Sequence, residues 1–364
     1  MPENAFAEQI VPGTYVRVLA EGLISVGGIS AGNIGIVGTA NPSDSEVIGV
    51  TQKLGDWESA QNVMGAYDDY AEGAGTLNLT RSLSLLFQNG ARTVYAQALA
   101  AGSDQAAFTT AFNEIIKDDV NILIAPELTT DQALAVLGPI VNSSENNGKD
   151  VIAVIGSDAT TSSDIADQVT ANKRIIMTAP GVIMYDSAAG ANVNLNGRYT
   201  AAPLGALISS LAVQTSPTNK VLSGVVNLVT RFSYVDMKDL LNGGVCTLED
   251  RSGIRVVRGL TSQARDNGPF SQITTRRITD YAKAGIRKAC NPFIGRLNNQ
   301  RVRAAMQGSI DGFLTTMVQD EALTEYTLEV TATRQDEIAG RAVVNVALKP
   351  TFSIDFIRVT LSLS

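Results

Sequence analysis

Residues 122–155 read ILIAPELTTDQALAVLGPIVNSSENNGKDVIAVI, and their pattern decides the fold class. The apolar run Ile122–Ala125 has the length of a buried strand. Asp131–Asn142 carries apolar residues at helical spacing, with Asp131 as the expected N-cap, and Val151–Ile155 is a second buried run. A strand, a helix and another strand in this order are typical of a parallel sheet with helices packed on its faces.

The same alternation of strands and helices continues on both sides of this stretch. Apolar spacing predicts, in chain order, the strand Ile34–Gly38, the helix Leu77–Asn89, the strand Thr93–Leu99, the helices Gln105–Lys117 and Ser163–Arg174, one strand at Ile175–Ala179 or Val182–Tyr185, and the helix Pro203–Val213. The sequence therefore predicts an α/β (α+β) protein whose residues 23–213 form a layered α/β domain.

A second α/β domain, residues 214–349, is predicted after the polar, proline-bearing break Gln214–Asn219. Two long amphipathic helices are expected in it, at Ile273–Cys290 and Asn299–Gln319. The apolar spacing then changes to a period of two in a pair of segments, Tyr326–Ala332 and Val343–Leu348. We therefore expect this domain to carry a small sheet built on a hairpin.

Both ends of the chain are predicted to be strands that need a partner. Near the start, Thr14–Ala20 alternates apolar and polar residues. Near the end, the alternation shifts by one residue between Phe356 and Ile357, which predicts a bulge or bend between two strand pieces. Because a terminal strand must pair with a sheet edge, we interpret residues 1–22 as an N-terminal arm and residues 350–364 as a C-terminal arm.

Residue types that many enzymes need are missing. The 364 residues contain no histidine, which excludes Ser–His–Asp and Cys–His catalytic sites and zinc sites that need imidazole. There are two cysteines and no CxxC motif, a usage typical of a protein made in a reducing cytoplasm. Gly28–Gly32 fits the G-x-S-x-G pattern, but Ser30 has no base to activate it. No nucleotide-binding glycine motif occurs, so neither an enzyme nor a cofactor is predicted.

No targeting or membrane-spanning segment is predicted either. Residues Met1–Gln9 are polar and acidic, without the basic and apolar regions of a signal peptide. The longest apolar runs have the length of strands, far below the roughly 18 residues that span a bilayer. We therefore expect no direct insertion into a membrane.

Charge is distributed unevenly along the chain. The net charge is −8, but residues 1–210 hold nine basic and 22 acidic residues, whereas residues 211–364 hold 19 basic and 14 acidic. Within residues 251–303 there are 12 basic residues and two acidic ones. Such blocks either attract copies of the chain or another complementary partner, or they neutralise each other within one domain. No nucleic-acid-binding motif accompanies the basic block, so nucleic acid is not an expected partner.

Several segments together resemble a known family. Pro12–Val18, PGTYVRV, resembles the PGVYV opening of contractile tail sheath proteins, which occur in phages, R-type pyocins and related injection machines. Further similarities follow in the family's order, at Ile36–Ala40, Leu83–Gly90, Val94-Tyr95, Ala179–Gly181, Ser216–Asn219, Leu240–Gly244, Gly259–Ser262 and Arg276–Ile278. Val257-Arg258 departs from the Trp-Gly that the family has there. The resemblance extends over nearly the whole chain.

This resemblance implies a structural function. Six copies would form a ring around a tail tube, the rings would stack helically, and contraction would drive the tube through a target cell envelope. The small sheet of the inner, tube-facing C-terminal domain would be completed by strands from neighbouring subunits, and residues 23–213 would be the outer domain. The other implied partners are baseplate and tail terminator proteins, in a virion made in a bacterial cytoplasm. The alternatives are another tail or baseplate component, or a self-assembling filament protein.

The resemblance also implies roles for particular residues. The strand arms would be formed by Thr14, Tyr15, Val16, Arg17, Val18, Ile357, Val359, Leu361 and Leu363. The receiving sheet would be formed by Tyr326, Leu328, Val330, Val344, Val346 and Leu348. Within the basic block, the hypothesised contacts with the tube or a neighbouring subunit are Arg276, Arg277, Arg287 and Lys288.

Overall fold

The computed structural model describes residues 29–66, 78–186 and 189–362. The strands β1 to β13 are Ile34–Thr39, Thr51–Leu54, Val94–Leu99, Ile122–Ile124, Ile152–Gly156, Ile175–Ala179, Val182–Asp186, Ala191–Leu195, Val225–Leu228, Val245–Asp250, Ile254–Val256, Leu323–Thr331 and Val343–Pro350. The helices α1 to α10 are Trp57–Met64, Leu79–Gln88, Gln105–Ile115, Thr130–Asn146, Ser162–Asp167, Ala201–Ser210, Tyr234–Asn242, Ile273–Cys290, Gln300–Gln319 and Arg334–Ile338.

An eight-stranded sheet forms the centre of the large α/β unit. Its strand order is β2-β3-β1-β4-β5-β6-β10-β11, and only the two edge strands, β2 and β11, run antiparallel to their neighbours. A smaller three-stranded sheet, β8-β7-β9, packs beside it. The strand-helix-strand stretch of residues 122–155 supplies β4, α4 and β5, which are parallel neighbours as the sequence predicts.

Helices cover both faces of the large sheet. On one face α1, α2 and α6 bury a core that includes Leu83 and Leu204, and the small sheet adds to it. On the other face α3, α4, α5 and α7 bury a second core around Phe112 and Leu137. Side chains alternate between these cores along a strand, since Ile36 faces the first and Val37 the second. The layered α/β architecture predicted from the sequence is confirmed.

Helices α4 and α5 differ from their predictions for reasons that the structure shows. The N-cap of α4 is Thr129 and not Asp131, because Thr129 and Gln132 form a reciprocal capping box. Helix α5 ends at Asp167, well before Arg174, because the following backbone turns to bind the Ser262 hydroxyl group. Both segments that were alternatives for the next strand are strands, as β6 and β7.

The boundary between the two units lies later in the chain than the sequence predicts. The sequence predicts that residues 214–349 form the second domain. Instead β9 pairs with β7, and β10 pairs with β6 in the large sheet, so the chain returns to the first unit after the polar break. The large unit therefore continues to Val256.

The C-terminal unit is a helix pair with a two-stranded sheet on it. Helices α8 and α9 cross where Gly285 faces Phe313, and a Cβ atom at Gly285 would lie 2.0 Å from Cζ of that ring. The absent side chain therefore lets the helices approach closely. The phenyl ring also packs on Tyr281, with 5.7 Å between ring centroids. The antiparallel hairpin β12–β13 closes this core.

One turn of this unit is strained in a way that a substitution should relieve. Glu321 has φ 60°, where a side chain is unfavourable, and it ends α9 with the two backbone bonds of a Schellman motif. We expect Glu321→Gly to raise the free energy of unfolding by up to about 1 kcal/mol, measured by urea denaturation. The matched control is Gln319→Gly, two residues earlier, where the backbone is right-handed helical. This substitution should lower the free energy of unfolding by about 1 kcal/mol. A lower stability of Glu321→Gly would contradict this account.

Candidate assembly surfaces

The six residues of the predicted receiving sheet lie together on one face of the hairpin. They form three cross-strand pairs: Tyr326 with Leu348, Leu328 with Val346, and Val330 with Val344. Their side chains pack against the core of α8 and α9. Tyr326 is also fixed through its hydroxyl group, which donates to Asp311 Oδ1 at 2.7 Å. These residues therefore hold the hairpin on the helices and do not face an incoming strand.

The hairpin leaves its backbone edges open. Within the described part of the chain, β12 pairs only with β13, so each strand has one edge without a strand partner. The face opposite α8 and α9 carries exposed side chains such as Thr327, Glu329 and Asn345. An unpaired edge is the surface to which an extended segment adds by main-chain hydrogen bonds. The geometry thus suits strand addition at either edge.

The C-terminal arm exposes a row of apolar side chains. Residues 351–362 form no helix or strand with the rest of the described chain. The exposed fractions are 62% for Phe352, 82% for Ile354, 75% for Phe356, 83% for Ile357, 75% for Val359 and 88% for Leu361. So much contiguous apolar exposure marks an interaction site. Leu363 and the N-terminal residues Thr14–Val18 lie outside the described residues.

Two of the four basic residues proposed as partner contacts are buried, which corrects that assignment. Arg276 is 2% exposed, binds Asp280 on the next turn of α8, and lies 4.3 Å from the centroid of the Phe270 ring. Arg277 is 6% exposed, and burial lowers its pKa to about 10. Its guanidinium group donates to three carbonyl oxygens, those of Ala31, Leu211 and Ala212. Both arginines therefore hold the subunit together internally.

The other two basic residues are accessible. Arg287 is partly exposed and binds Asp150 Oδ2 at 2.7 Å. Lys288 is exposed in the last turn of α8. They remain predicted contacts with the tube or a neighbouring subunit.

A charge network that the sequence analysis did not identify joins the two units. At its centre is Arg174, whose side chain is fully buried directly before β6. It binds Glu145 Oε2 at 3.0 Å, Asp150 Oδ1 at 2.8 Å and Asp280 Oδ2 at 3.1 Å. Lys283 of α8 binds two of the same carboxylates, those of Glu145 and Asp150. The network therefore ties α8 to the large α/β unit.

The network also explains part of the uneven charge distribution. The Arg174 guanidinium group, by hydrogen bonding, is the largest cause that holds the pKa of Glu145 well below its usual range. Glu145 and Asp150 come from the acidic half of the chain, and Lys283 and Arg287 from the basic block. Opposite charges are thus partly neutralised within one subunit.

None of the described helices is long and apolar enough to cross a membrane.

Two family models match the chain. The model of the phage tail sheath protein central domain matches residues 98–262, and that of the phage tail sheath C-terminal domain matches residues 265–364. Together they span most of the chain. The break between them falls after the last strand of the large sheet and not at the polar break after residue 213. A search of curated proteins finds no match.

Solved sheath structures have the same fold. The helical sheath of the anti-feeding prophage in its contracted state has a TM-score of 0.78 at 21% identity, covering 97% of this chain and 99% of that one. The contracted PVC sheath complex of an extracellular contractile injection system has a TM-score of 0.74 at 19% identity, and the match covers 99% of each chain. The sheath tail protein of Listeria innocua has a TM-score of 0.69 at 12% identity, and the match covers 92% of this chain and 94% of that one.

The central-domain match covers β4 to β11 of the large α/β unit, and the C-terminal match covers α8 to β13. The chain therefore belongs to the phage tail sheath protein family and is a structural subunit of a contractile sheath.

Proposed function

We propose that this subunit forms hexameric rings that stack helically around a tail tube, and that contraction of the stack drives the tube through a target cell envelope. The observation that carries the proposal is the combination, in one chain, of an exposed apolar arm and a hairpin whose two outer edges have no strand partner among the described residues. A donor strand and a receiving edge on the same subunit allow each copy to bind the next, which produces a polymer.

The two predicted arms would occupy the two edges of the hairpin. Thr14–Val18 would add to one edge of a neighbouring hairpin, and Ile357–Leu363 to an edge of another. Main-chain hydrogen bonds would connect the strands, and the apolar side chains of the arm, exposed in the single subunit, would be covered. The hairpin would then become the centre of a larger sheet shared among subunits.

Strand exchange between subunits along the stack favours a large, cooperative transition. Each shared strand contributes a modest free energy, but the contributions add up along a polymer of many subunits. Because the arms stay inserted, the rings can move without coming apart. We propose that the extended stack is metastable and that better-packed contacts form on contraction.

Partners beyond other copies of the chain follow from this role. The inner surface would contact the tail tube, with Arg287 and Lys288 as the remaining basic candidates, and the ends of the stack would contact baseplate and tail terminator proteins. The assembly would be located in the tail of a phage virion made in the bacterial cytoplasm. The role requires binding and packing but no catalytic step, so we propose that the subunit is not an enzyme.

Electron microscopy of the purified, overexpressed protein tests this function. Hollow tubes of stacked six-subunit rings are the expected result. Solid filaments without a central channel would favour the alternative of a self-assembling filament protein. A monodisperse monomer that never polymerises, even at high concentration, would contradict the sheath function.

A further inference from the structure

The first residues of the C-terminal arm are fastened to the subunit by side chains from outside the hairpin. Arg258, in the loop between β11 and α8, donates from Nε to Asp355 Oδ2 at 2.7 Å. Gln272, the N-cap of α8, donates from Nε2 to the same oxygen at 3.0 Å. The Asp355 side chain is only 6% exposed, although it belongs to an arm whose apolar side chains are exposed.

A second set of contacts holds the residue two positions earlier. The backbone N–H of Ser353 donates to Gln272 Oε1 at 3.1 Å, and Gln272 Nε2 lies 3.3 Å from the Ser353 carbonyl oxygen. The hydroxyl groups of Ser353 and Thr274 are 3.2 Å apart. The Gln272 amide therefore binds the backbone of the arm in both directions, as a neighbouring strand would.

These contacts determine which way the arm faces. Ser353 and Asp355 point inward, so Phe352, Ile354 and Phe356 point outward, as alternation in extended backbone requires. The Arg258 guanidinium carbon lies 5.1 Å from the centroid of the Phe356 ring, and the fastened part of the arm ends there. The residues after Phe356 have no such fastening among the described contacts.

We propose that Arg258 and Gln272 form a clasp that positions the C-terminal arm for insertion into a neighbouring subunit. This inference rests on the proposed strand exchange and adds to it the residues that direct the strand. The clasp holds residues 353–356 in one orientation before a neighbour binds, so fewer residues of the arm remain to be positioned when it inserts. Prior ordering of this kind strengthens binding, because less conformational entropy is lost on association.

The clasp has a measurable consequence in the absence of any partner. Cysteines at two facing positions, Thr274→Cys and Ser353→Cys in a Cys290→Ser background, should form a disulfide under mild oxidation, because the clasp keeps these side chains adjacent. Adding Arg258→Met should slow disulfide formation about tenfold or more. Arg251→Met removes an arginine whose described contacts are with Glu249 and Asn219 and not with the arm, and it should leave the rate unchanged. Equal rates with and without Arg258 would refute the clasp.

The same variants test its role in assembly. Without the cysteines, Arg258→Met should raise the lowest concentration at which tubes form about tenfold or more, because the arm is oriented for a smaller fraction of the time. In the cysteine background, oxidation should restore assembly of Arg258→Met to the level of the unchanged chain, and reduction should abolish the rescue. If Arg258 instead contacted the neighbouring subunit, the disulfide would not rescue assembly, and the proposal would fail.

The two proposals can fail separately. If the unchanged chain forms no tubes at all, the sheath function is contradicted, while the rate of disulfide formation still decides whether the clasp exists. If tubes form equally well with arginine or methionine at position 258, the sheath function stands and the positioning role of the clasp is refuted.

Discussion

Deletion of residues 357–364 is expected to yield a folded monomer that forms no tubes. The side chains of Ile357, Val359 and Leu361 are 75–88% exposed, so their removal takes little apolar surface out of the folded chain. Assembly, in contrast, would lose the strand that enters a neighbouring sheet. The deletion begins after Phe356, so the contacts of Arg258 with the arm are retained. Electron microscopy measures tube formation, and circular dichroism with urea denaturation measures folding.

Two variants that keep all residues of the arm distinguish the effect of its apolar side chains from the effect of shortening the chain. Replacing Ile357, Val359 and Leu361 by serine should abolish tubes as the deletion does, because the inserted strand then buries no apolar surface. The matched control, Ile357→Val with Val359→Ile, preserves the alternation and should form tubes normally. Tubes of normal abundance from the deletion variant would show that the C-terminal arm is not an assembly strand.

The sequence predicts elements well where the signal is local. Helix α8 has the bounds predicted from its apolar stripe, and α9 begins one residue after the predicted start, with Asn299 as its N-cap. The six hairpin residues were identified as one face because apolar side chains in a strand recur every second residue. The alternation places all six on one face, and the register of the hairpin pairs them across the strands.

Contacts between distant segments are not encoded in such patterns. The polar break after Val213 indicates a boundary, but only strand pairing shows that Val245–Asp250 returns to the large sheet. The elements β2, β8 and β9 were missed because each has only four or five residues and carries exposed positions that interrupt an apolar pattern. A boundary read from composition is therefore weaker evidence than one read from pairing.

Burial of charge is equally hidden from the sequence. Arg276 and Arg277 belong to a basic block, which suggests an exposed surface. Helical geometry turns both of them toward the inside of the subunit, where Asp280 and backbone carbonyl groups satisfy them. Reversing these charges would therefore disrupt the fold as well as any interface. A test of the proposed tube-facing surface should use Lys288, because Arg287 also binds Asp150 within the subunit.

The largest stability effect is expected from Arg174→Met. Methionine keeps much of the side-chain length but removes the guanidinium group, so Glu145, Asp150 and Asp280 lose their shared central partner. Breaking a buried ion pair by removing one partner destabilises a protein by about 3–5 kcal/mol, because the remaining charge stays desolvated. We expect a loss of this size in urea denaturation of the chain without residues 357–364. Lys283 and Arg287 remain near the same carboxylates, which favours the lower end of the range.

The control for this substitution is an arginine in an exposed pair. Arg334 has an 82% exposed side chain and binds Glu337 one turn later, so Arg334→Met should change stability by no more than about 0.5 kcal/mol. A similarly small effect at Arg174 would mean that the contact between α8 and the large α/β unit is held mainly by apolar packing. A large effect would identify the network as a main contact between the C-terminal unit and the large α/β unit, since Asp280 and Lys283 lie on α8.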